Sequence, residues 1–236
     1  RYQEEDTAAL RDLPAETDGY LHNRLLRQNS RDALRYHLSS LEKTIARVTH
    51  RDDIHRVEKR HKRVLALWER YRETGHLYSE PGYLLSAFRS PSDSSLQPFS
   101  VFIPETFNSD EPVDLLLALH GSGVDEIHTA RGWGRRFSSD NVIVAAPRGR
   151  DLSSWYMGKT EEDVVDLVMM LKEMFEVNRT VCSGFSMGGY GTWRLTLLYP
   201  ELFDAGVIIS GTPVPWQGEG REGDLRIKKW NQQDIP

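Results

Sequence analysis

A serine between closely spaced glycines is the feature of this sequence with the clearest chemical potential. Residues 182–193 read C-S-G-F-S-M-G-G-Y-G-T-W, so Gly184 and Gly188 lie two residues on either side of Ser186. A serine that attacks a substrate carbonyl must lie on a turn too tight for bulky neighbours, and glycines at these positions provide the room. The pattern predicts acyl transfer through a serine nucleophile.

The segments around this serine have the character that such a turn requires. Residues 179–182 predict a short strand, in which Cys182 is expected to be buried, and residues 190–199 have helical spacing that ends at Pro200. Gly-x-Ser-x-Gly alone also occurs in ordinary glycine-rich turns, so the strand-turn-helix context carries the prediction.

A nucleophilic serine also needs backbone N–H groups that stabilise the developing oxyanion. The N–H of Met187, which directly follows the serine, is one candidate donor. The second is the N–H of Ser122 in the segment H-G-S-G, where Gly121 allows the backbone to turn. His120 ends a predicted buried strand, and we expect it to be hydrogen-bonded structurally rather than to act as a base.

The elements that must position these groups predict an α/β fold, with a mainly parallel sheet and helices on both faces. Strands at 82–88 and 99–103 flank a turn-forming cluster at 90–95, which predicts an antiparallel hairpin at a sheet edge. Apolar strands follow at 113–119 and 141–146, and another is predicted at 205–210.

The helix between two of these strands has a start signal and an apolar face. Thr160 and Asp163 have the spacing of a capping box. Its predicted apolar face is formed by Val164, Leu167 or Val168, Leu171 and Phe175.

Ligands of parallel sheets bind beyond the carboxyl ends of the strands. Ser122, Arg148 and Ser186 each follow the end of a predicted strand, so we expect them at the same edge. Four aromatic residues are candidates either for a pocket there or for the core: Trp133, Trp155, Tyr156 and Trp216.

Residues 1–79 differ in kind from residues 80–236, and we predict a separate N-terminal helical region there. They carry 16 Lys/Arg against 13 Asp/Glu, whereas the whole chain has a net charge of −5. Two apolar stripes at helical spacing predict an antiparallel helical hairpin. The stripes are Leu34, Leu38, Leu41, Ile45 and Val48, and then Ile54, Val57, His61, Val64, Trp68 and Tyr71.

The role of the hairpin stays open between packing on the following domain and forming a homo-oligomer. The basic run at 59–63 favours a solvated helix face over nucleic-acid binding, because acidic residues accompany it. We therefore expect no nucleic-acid partner. His50, His55 and His61 lack the i, i+4 pairing of a helical metal site, so no metal is expected.

Three longer segments resemble the α/β-hydrolase superfamily, in particular prolyl-oligopeptidase-like esterases and those similar to polyhydroxybutyrate depolymerases or feruloyl esterases. They are L-L-L-A-L-H-G-S-G at 115–123, P-R-G-R at 147–150, and the strand-turn-helix stretch at 182–193, called the elbow below, with the following Y-P-E-L-F-D-A-G-V-I-I-S-G at 199–211. The resemblance covers about residues 82–236. It implies Ser186 as nucleophile, the N–H groups of Ser122 and Met187 as oxyanion hole, and Arg148, Trp155 and Tyr156 near the substrate, with no cofactor.

The triad of this superfamily runs Ser, then Asp or Glu, then His along the chain. All eight histidines here precede Ser186, and Asp204 and Asp224 are interpreted as loop carboxylates. We therefore expect the acid and the base beyond Pro236, which would leave this part of the chain without its own base.

A serine hydrolase of small-molecule or polymer-derived esters is the leading functional hypothesis. A prolyl-oligopeptidase-like peptidase and a non-catalytic scaffold that retains the fold are the alternatives. The longest apolar run, 115–119, is far shorter than the roughly 20 residues of a membrane span, so no membrane partner is expected. The compartment stays open between the cytoplasm and a secreted or periplasmic location.

Overall fold

The computed structural model describes residues 27–49 and 51–212. Its helices are α1 (Gln28–Ile45), α2 (Arg51–Thr74), α3 (Glu126–Gly134), α4 (Lys159–Met174) and α5 (Met187–Leu198). Its strands are β1 (Gly82–Arg89), β2 (Leu96–Ile103), β3 (Val113–Leu119), β4 (Val142–Pro147), β5 (Val177–Phe185) and β6 (Ala205–Ile209). Trp216 and Asp224 lie outside the described residues.

The six strands form one sheet in the order β1-β2-β4-β3-β5-β6. β1 pairs with β2 and β2 with β4 in antiparallel fashion, whereas β4, β3, β5 and β6 are parallel neighbours. The mainly parallel sheet and the antiparallel hairpin at its edge are confirmed. The second strand of that hairpin begins at Leu96, three residues earlier than predicted.

Helices cover both faces of the sheet, as the sequence predicts. Along β3, Leu115 and Leu117 belong to the apolar clusters that include residues of α4, whereas Leu116 and Ala118 pack with Ala130 of α3. This alternation is the two-residue period of a strand that is buried on both sides. The predicted face of α4 is also confirmed, since Val164, Leu167, Val168 and Leu171 are fully buried.

The N-terminal helices pack against each other and against the sheet. Leu38, Leu41, Val57 and Val64 form a buried cluster between α1 and α2. Further along the same helices, Leu34, Leu67 and Tyr71 join the core cluster that contains β1 and β2 residues. The predicted stripes are therefore buried in part, since Ile45, Val48 and Trp68 are half-buried at the edges of these clusters. At least part of the hairpin surface belongs to the core. The division near residue 79 and a homo-oligomer through the hairpin stay predictions.

The predicted capping box of α4 is wrong. The helix begins after Gly158, and no side chain caps it. The Thr160 hydroxyl donates to the carbonyl of Gly149 at 3.3 Å, and the Asp163 carboxylate accepts from Arg150 and Ser90. The Arg150 guanidinium offers a full positive charge and two N–H donors, whereas a cap offers one N–H, so the carboxylate binds its distant partner.

Two further observations concern the described residues alone. Among them, no helix has both the length and the apolar character that a bilayer crossing demands. The same ranges contain no group of three or more His, Cys, Asp and Glu side chains placed to hold a metal ion.

Candidate active site

Ser186 occupies the junction between β5 and α5, in a strained backbone conformation. Its φ of 55° and ψ of −114° are rare for a residue with a side chain. The Ser186 N–H donates to the Ile209 carbonyl at 2.9 Å, and the Ser186 carbonyl accepts from the Tyr190 N–H at 3.0 Å. Both backbone groups are thereby fixed, while the residue itself is exposed at the carboxyl end of the sheet.

Gly184 and Gly188 allow the backbone on either side of the serine to approach its neighbours closely. A Cβ atom on Gly184 would overlap the backbone of Gly188, and one on Gly188 would overlap the carbonyl of Leu119 at the end of β3. The start of α5 therefore lies directly against the end of β3. Any side chain at these two positions would force the elbow away from the sheet.

The H-G-S-G segment after β3 lies beside this elbow. A Cβ atom on Gly121 would lie 3.3 Å from the Phe185 carbonyl oxygen and 3.8 Å from Ser186 Cβ. The two residues after Ser122 have bonded N–H groups, since Gly123 donates to the Leu152 carbonyl at 2.9 Å and Val124 to the Gly121 carbonyl at 3.1 Å. These two bonds hold the segment in place without using the Ser122 N–H. The fold thus brings the two segments together, as expected for residues at the same strand ends.

The first turn of α5 supplies the other predicted donor. Met187 is the first residue of the helix, where N–H groups have no intrahelical acceptor. Its side chain is fully buried, so the position is rigid. The N-terminal ends of helices also favour negative charge. The oxyanion-hole roles of Ser122 and Met187 stay predictions.

His120 has a structural environment, which confirms the interpretation made from the sequence. The ring is 1% exposed. Its Nε2 lies 2.9 Å from the Arg148 carbonyl oxygen and its Nδ1 lies 3.0 Å from the Gly121 carbonyl oxygen. The Tyr156 hydroxyl donates to the His120 carbonyl at 3.2 Å. These bonds connect the end of β3 to the segment that follows β4.

The three residues expected near the substrate differ in accessibility. Arg148 donates from Nη1 to both carboxylate oxygens of the buried Glu126, at 3.1 and 3.3 Å. Trp155 is half-buried, with its ring 5.8 Å from that of Tyr190. Tyr156 is fully buried, and burial raises the pKa of its phenol well above the usual value. Substrate contact stays a prediction for all three, and Tyr156 lies in the core beneath the surface.

Ser153 and Arg150 form hydrogen bonds near this site that the sequence does not predict. The Ser153 hydroxyl is 2.6 Å from the Ser122 hydroxyl, and so joins the segment after β4 to the H-G-S-G segment. Arg150, with a φ of 63°, bonds Asp163 of α4 and Asp93 of the β1–β2 turn. These residues lie far apart in the sequence and are brought together by the order of the strands, so no local spacing predicts their contacts.

Three other candidates have core or loop roles. Cys182 is fully buried, as predicted, and burial raises the pKa of its thiol to about 12. Asp204 accepts from the Thr180 N–H at 2.7 Å and holds the start of β6 against β5. Trp133 is partly buried and packs in the cluster on the α3 face.

Comparison with known families now identifies the kind of protein. A family model described as "Putative esterase" matches residues 95–234. The chain belongs to this esterase family. The matched region includes strands β2 to β6, the H-G-S-G segment and the elbow. A comparison with curated protein sequences finds no match.

Solved structures of hydrolases are similar to this chain. The fluorophosphonate-binding serine hydrolase FphF of Staphylococcus aureus is 26% identical over 56% of this chain and 58% of its own, with a TM-score of 0.49. The S-formylglutathione hydrolase FrmB of the same organism is 26% identical over 57% and 60%, also with a TM-score of 0.49. A ferulic acid esterase is 18% identical over 61% and 64%, with a TM-score of 0.50, and supports the fold. The chain therefore spans less than two thirds of each of these proteins.

Proposed function

We propose that this protein is a serine hydrolase that cleaves carboxylic esters by acyl transfer through Ser186. The observation that carries the proposal is the strained, exposed Ser186 at the β5–α5 junction, with Gly121 against it. The esterase family membership supports an ester as the substrate.

In the first step, the Ser186 hydroxyl oxygen attacks the ester carbonyl carbon and its proton passes to a general base. The carbonyl oxygen becomes an oxyanion, which accepts from the N–H groups of Ser122 and Met187. Collapse of this intermediate breaks the ester C–O bond, and the alcohol leaves with the proton returned by the base, which leaves an acyl-serine. Water then attacks the acyl-serine as the base takes its proton, and the carboxylic acid leaves as that proton returns to the Ser186 oxygen.

His120 is a poor candidate for the general base of this reaction. Both of its ring nitrogens face backbone carbonyl oxygens, and the ring is buried. The general base in the proposal is therefore a group other than His120.

A fluorophosphonate probe on the full-length protein tests the proposal, because it forms a covalent bond only with an activated serine. We expect the probe to attach to Ser186, and the Ser186→Ala variant to lose both labelling and ester hydrolysis, by about 10⁴-fold or more in kcat. Ser109→Ala is the matched control, since this exposed serine precedes β3 and should leave both unchanged.

Unchanged ester hydrolysis in Ser186→Ala would overturn the proposal. Absence of labelling with no hydrolysis in the unmodified protein would instead support the scaffold alternative. Parallel assays with a p-nitrophenyl ester and the corresponding p-nitroanilide separate esterase from peptidase. The proposal requires the ester to be the better substrate.

A further inference from the structure

A basic groove, lined by residues of α1, α2 and their connection, lies in the N-terminal helical hairpin. It has a volume of about 510 Å³, which lies within the range of roughly 300–1,000 Å³ for small-ligand sites. Positive side chains make up most of its lining. They are Lys43, Arg47, Arg56, Lys59, Arg60 and Arg63.

The charge of this groove is largely uncompensated. Asp53 is the one carboxylate among its lining residues, and it pairs with Arg56 at 3.2 Å. Arg60 donates to the hydroxyl of Ser40. The remaining four cations form no ion pair with any part of the chain that the structure describes. Within the described ranges, the groove therefore presents several guanidinium and ammonium groups that form no ion pair.

The spacing of the α2 cations concentrates their charge on one side of the helix. Lys59 and Arg60 are neighbours in the chain, and each is three or four residues from Arg56 and Arg63. Like charges at that spacing repel and destabilise the helix. Lys43 and Arg47 approach from the other side of the groove, so repulsion is not relieved there. A multiply charged anion between them would remove this repulsion.

We propose that the groove binds a small ligand with two or more phosphate groups. Guanidinium groups bind phosphate oxygens through paired N–H donors, and three arginines on α2 line the site. Arg56 and Arg63 are seven residues apart, or about 10 Å along the helix, which suits a chain of linked phosphates rather than one.

A small ligand fits the observations better than a nucleic acid. The whole chain carries a net charge of −5, which repels an extended polyanion, whereas the positive groups concentrate around one bounded groove. Within the basic run at 59–63, His61 and Lys62 do not line it. The run is thus divided between a solvated face, as the sequence indicates, and the groove.

Isothermal titration of the full-length protein with sodium tripolyphosphate tests the inference. We expect saturable binding that weakens as salt is added, and weaker binding of inorganic phosphate. Arg63→Glu and Arg47→Glu should each weaken tripolyphosphate binding at least about tenfold. Both side chains are exposed, so circular dichroism should show an unchanged fold.

Lys62→Glu is the matched control, because it makes the same charge change in the same run outside the groove. We expect it to weaken binding less than about twofold, since exposed charges beyond the groove are screened. Ser186→Ala should bind tripolyphosphate normally, which separates this inference from the esterase proposal. An equal effect of Lys62→Glu, no saturation at about 5 mM, or tighter binding of a single-stranded oligonucleotide would each overturn the inference.

Discussion

The guanidinium of Arg150 and the carboxylate of Asp163 form a paired ion bridge between the segment after β4 and helix α4. Nε donates to Oδ2 at 2.5 Å and Nη2 to Oδ1 at 3.1 Å. Asp163 is nearly completely buried, whereas Arg150 keeps part of its surface exposed and also reaches Asp93. The bonds to Asp163 and Asp93 raise the pKa of Arg150, and the bond from Arg150 is the main cause that lowers the pKa of Asp93. This bridge fixes the segment whose next residues contact the H-G-S-G loop.

Asp163→Asn should lower the free energy of unfolding by about 3 kcal/mol, because it leaves the partly buried Arg150 without its main counterion. Urea denaturation measures the loss. Asp166→Asn on the same helix is the control, and it should change stability by no more than about 0.5 kcal/mol, or raise it slightly. Burial raises the pKa of Asp166, so its charge is not stabilised by the fold. Equal losses in the two variants would show that the bridge contributes little.

The hydroxyl pair Ser122 and Ser153 should affect catalysis as a single unit, if the proposed esterase mechanism holds. Each alanine substitution removes the same hydrogen bond and loosens the H-G-S-G segment. We expect this to lower kcat/KM by about three- to tenfold. The double variant should be no slower than either single variant, because the bond can be lost only once. Multiplied losses in ester hydrolysis would mean that the two hydroxyls act separately.

Local signals explain why most of the fold is predictable from the sequence. The continuous apolar run at 113–119, the turn-forming cluster at 90–95 and the glycines around Ser186 each act through neighbouring residues, and the structure has the expected element at each. Helix spacing likewise predicts apolar residues of α1 and α2 that are buried, such as Leu38, Leu41 and Val64. Such patterns depend on the period of one element and need no knowledge of its partners.

Contacts between distant segments could not be predicted from the sequence. The Thr160 and Asp163 spacing indicates a helix cap, yet the Asp163 carboxylate instead binds Arg150, which lies in the segment after β4. The basic run at 59–63 is ambiguous until α1 and α2 pack together and align it with Lys43. In the first case the energy of the ion pair outweighs the local preference, and in both cases the arrangement follows from topology.

Gly188→Ala should prevent normal folding, because the added Cβ would overlap the backbone at the end of β3. We expect a loss of at least about 4 kcal/mol in the free energy of unfolding, or no soluble protein. Gly132→Ala in α3 is the matched control, since a Cβ there meets nothing within 4 Å. That variant should be more stable by about 0.5–1 kcal/mol, the helix-propensity difference. A thermal melt of both variants decides, and a well-folded Gly188→Ala would contradict the close packing.

The Cys182 thiol should be unreactive in the folded protein, although it is the chain's single cysteine. Burial raises its pKa to about 12, so the reactive thiolate is scarce near neutral pH. We expect no reaction with Ellman's reagent at about pH 8 in buffer and one thiol per chain in urea. Rapid labelling without urea would show that β5 opens locally.

The same shift predicts how stability depends on pH. The unfolded thiol loses its proton near pH 8.5, whereas the folded thiol keeps it until about pH 12, so alkaline pH favours the unfolded state in this window. The contribution of Cys182 should fall by about 1.4 kcal/mol per pH unit above about pH 8.5. Urea midpoints of the natural protein and of Cys182→Ala at several pH values isolate it, since both share every other titrating group. The stability difference between them should stay constant below pH 8 and change steadily above pH 9, and a constant difference throughout would exclude the raised pKa.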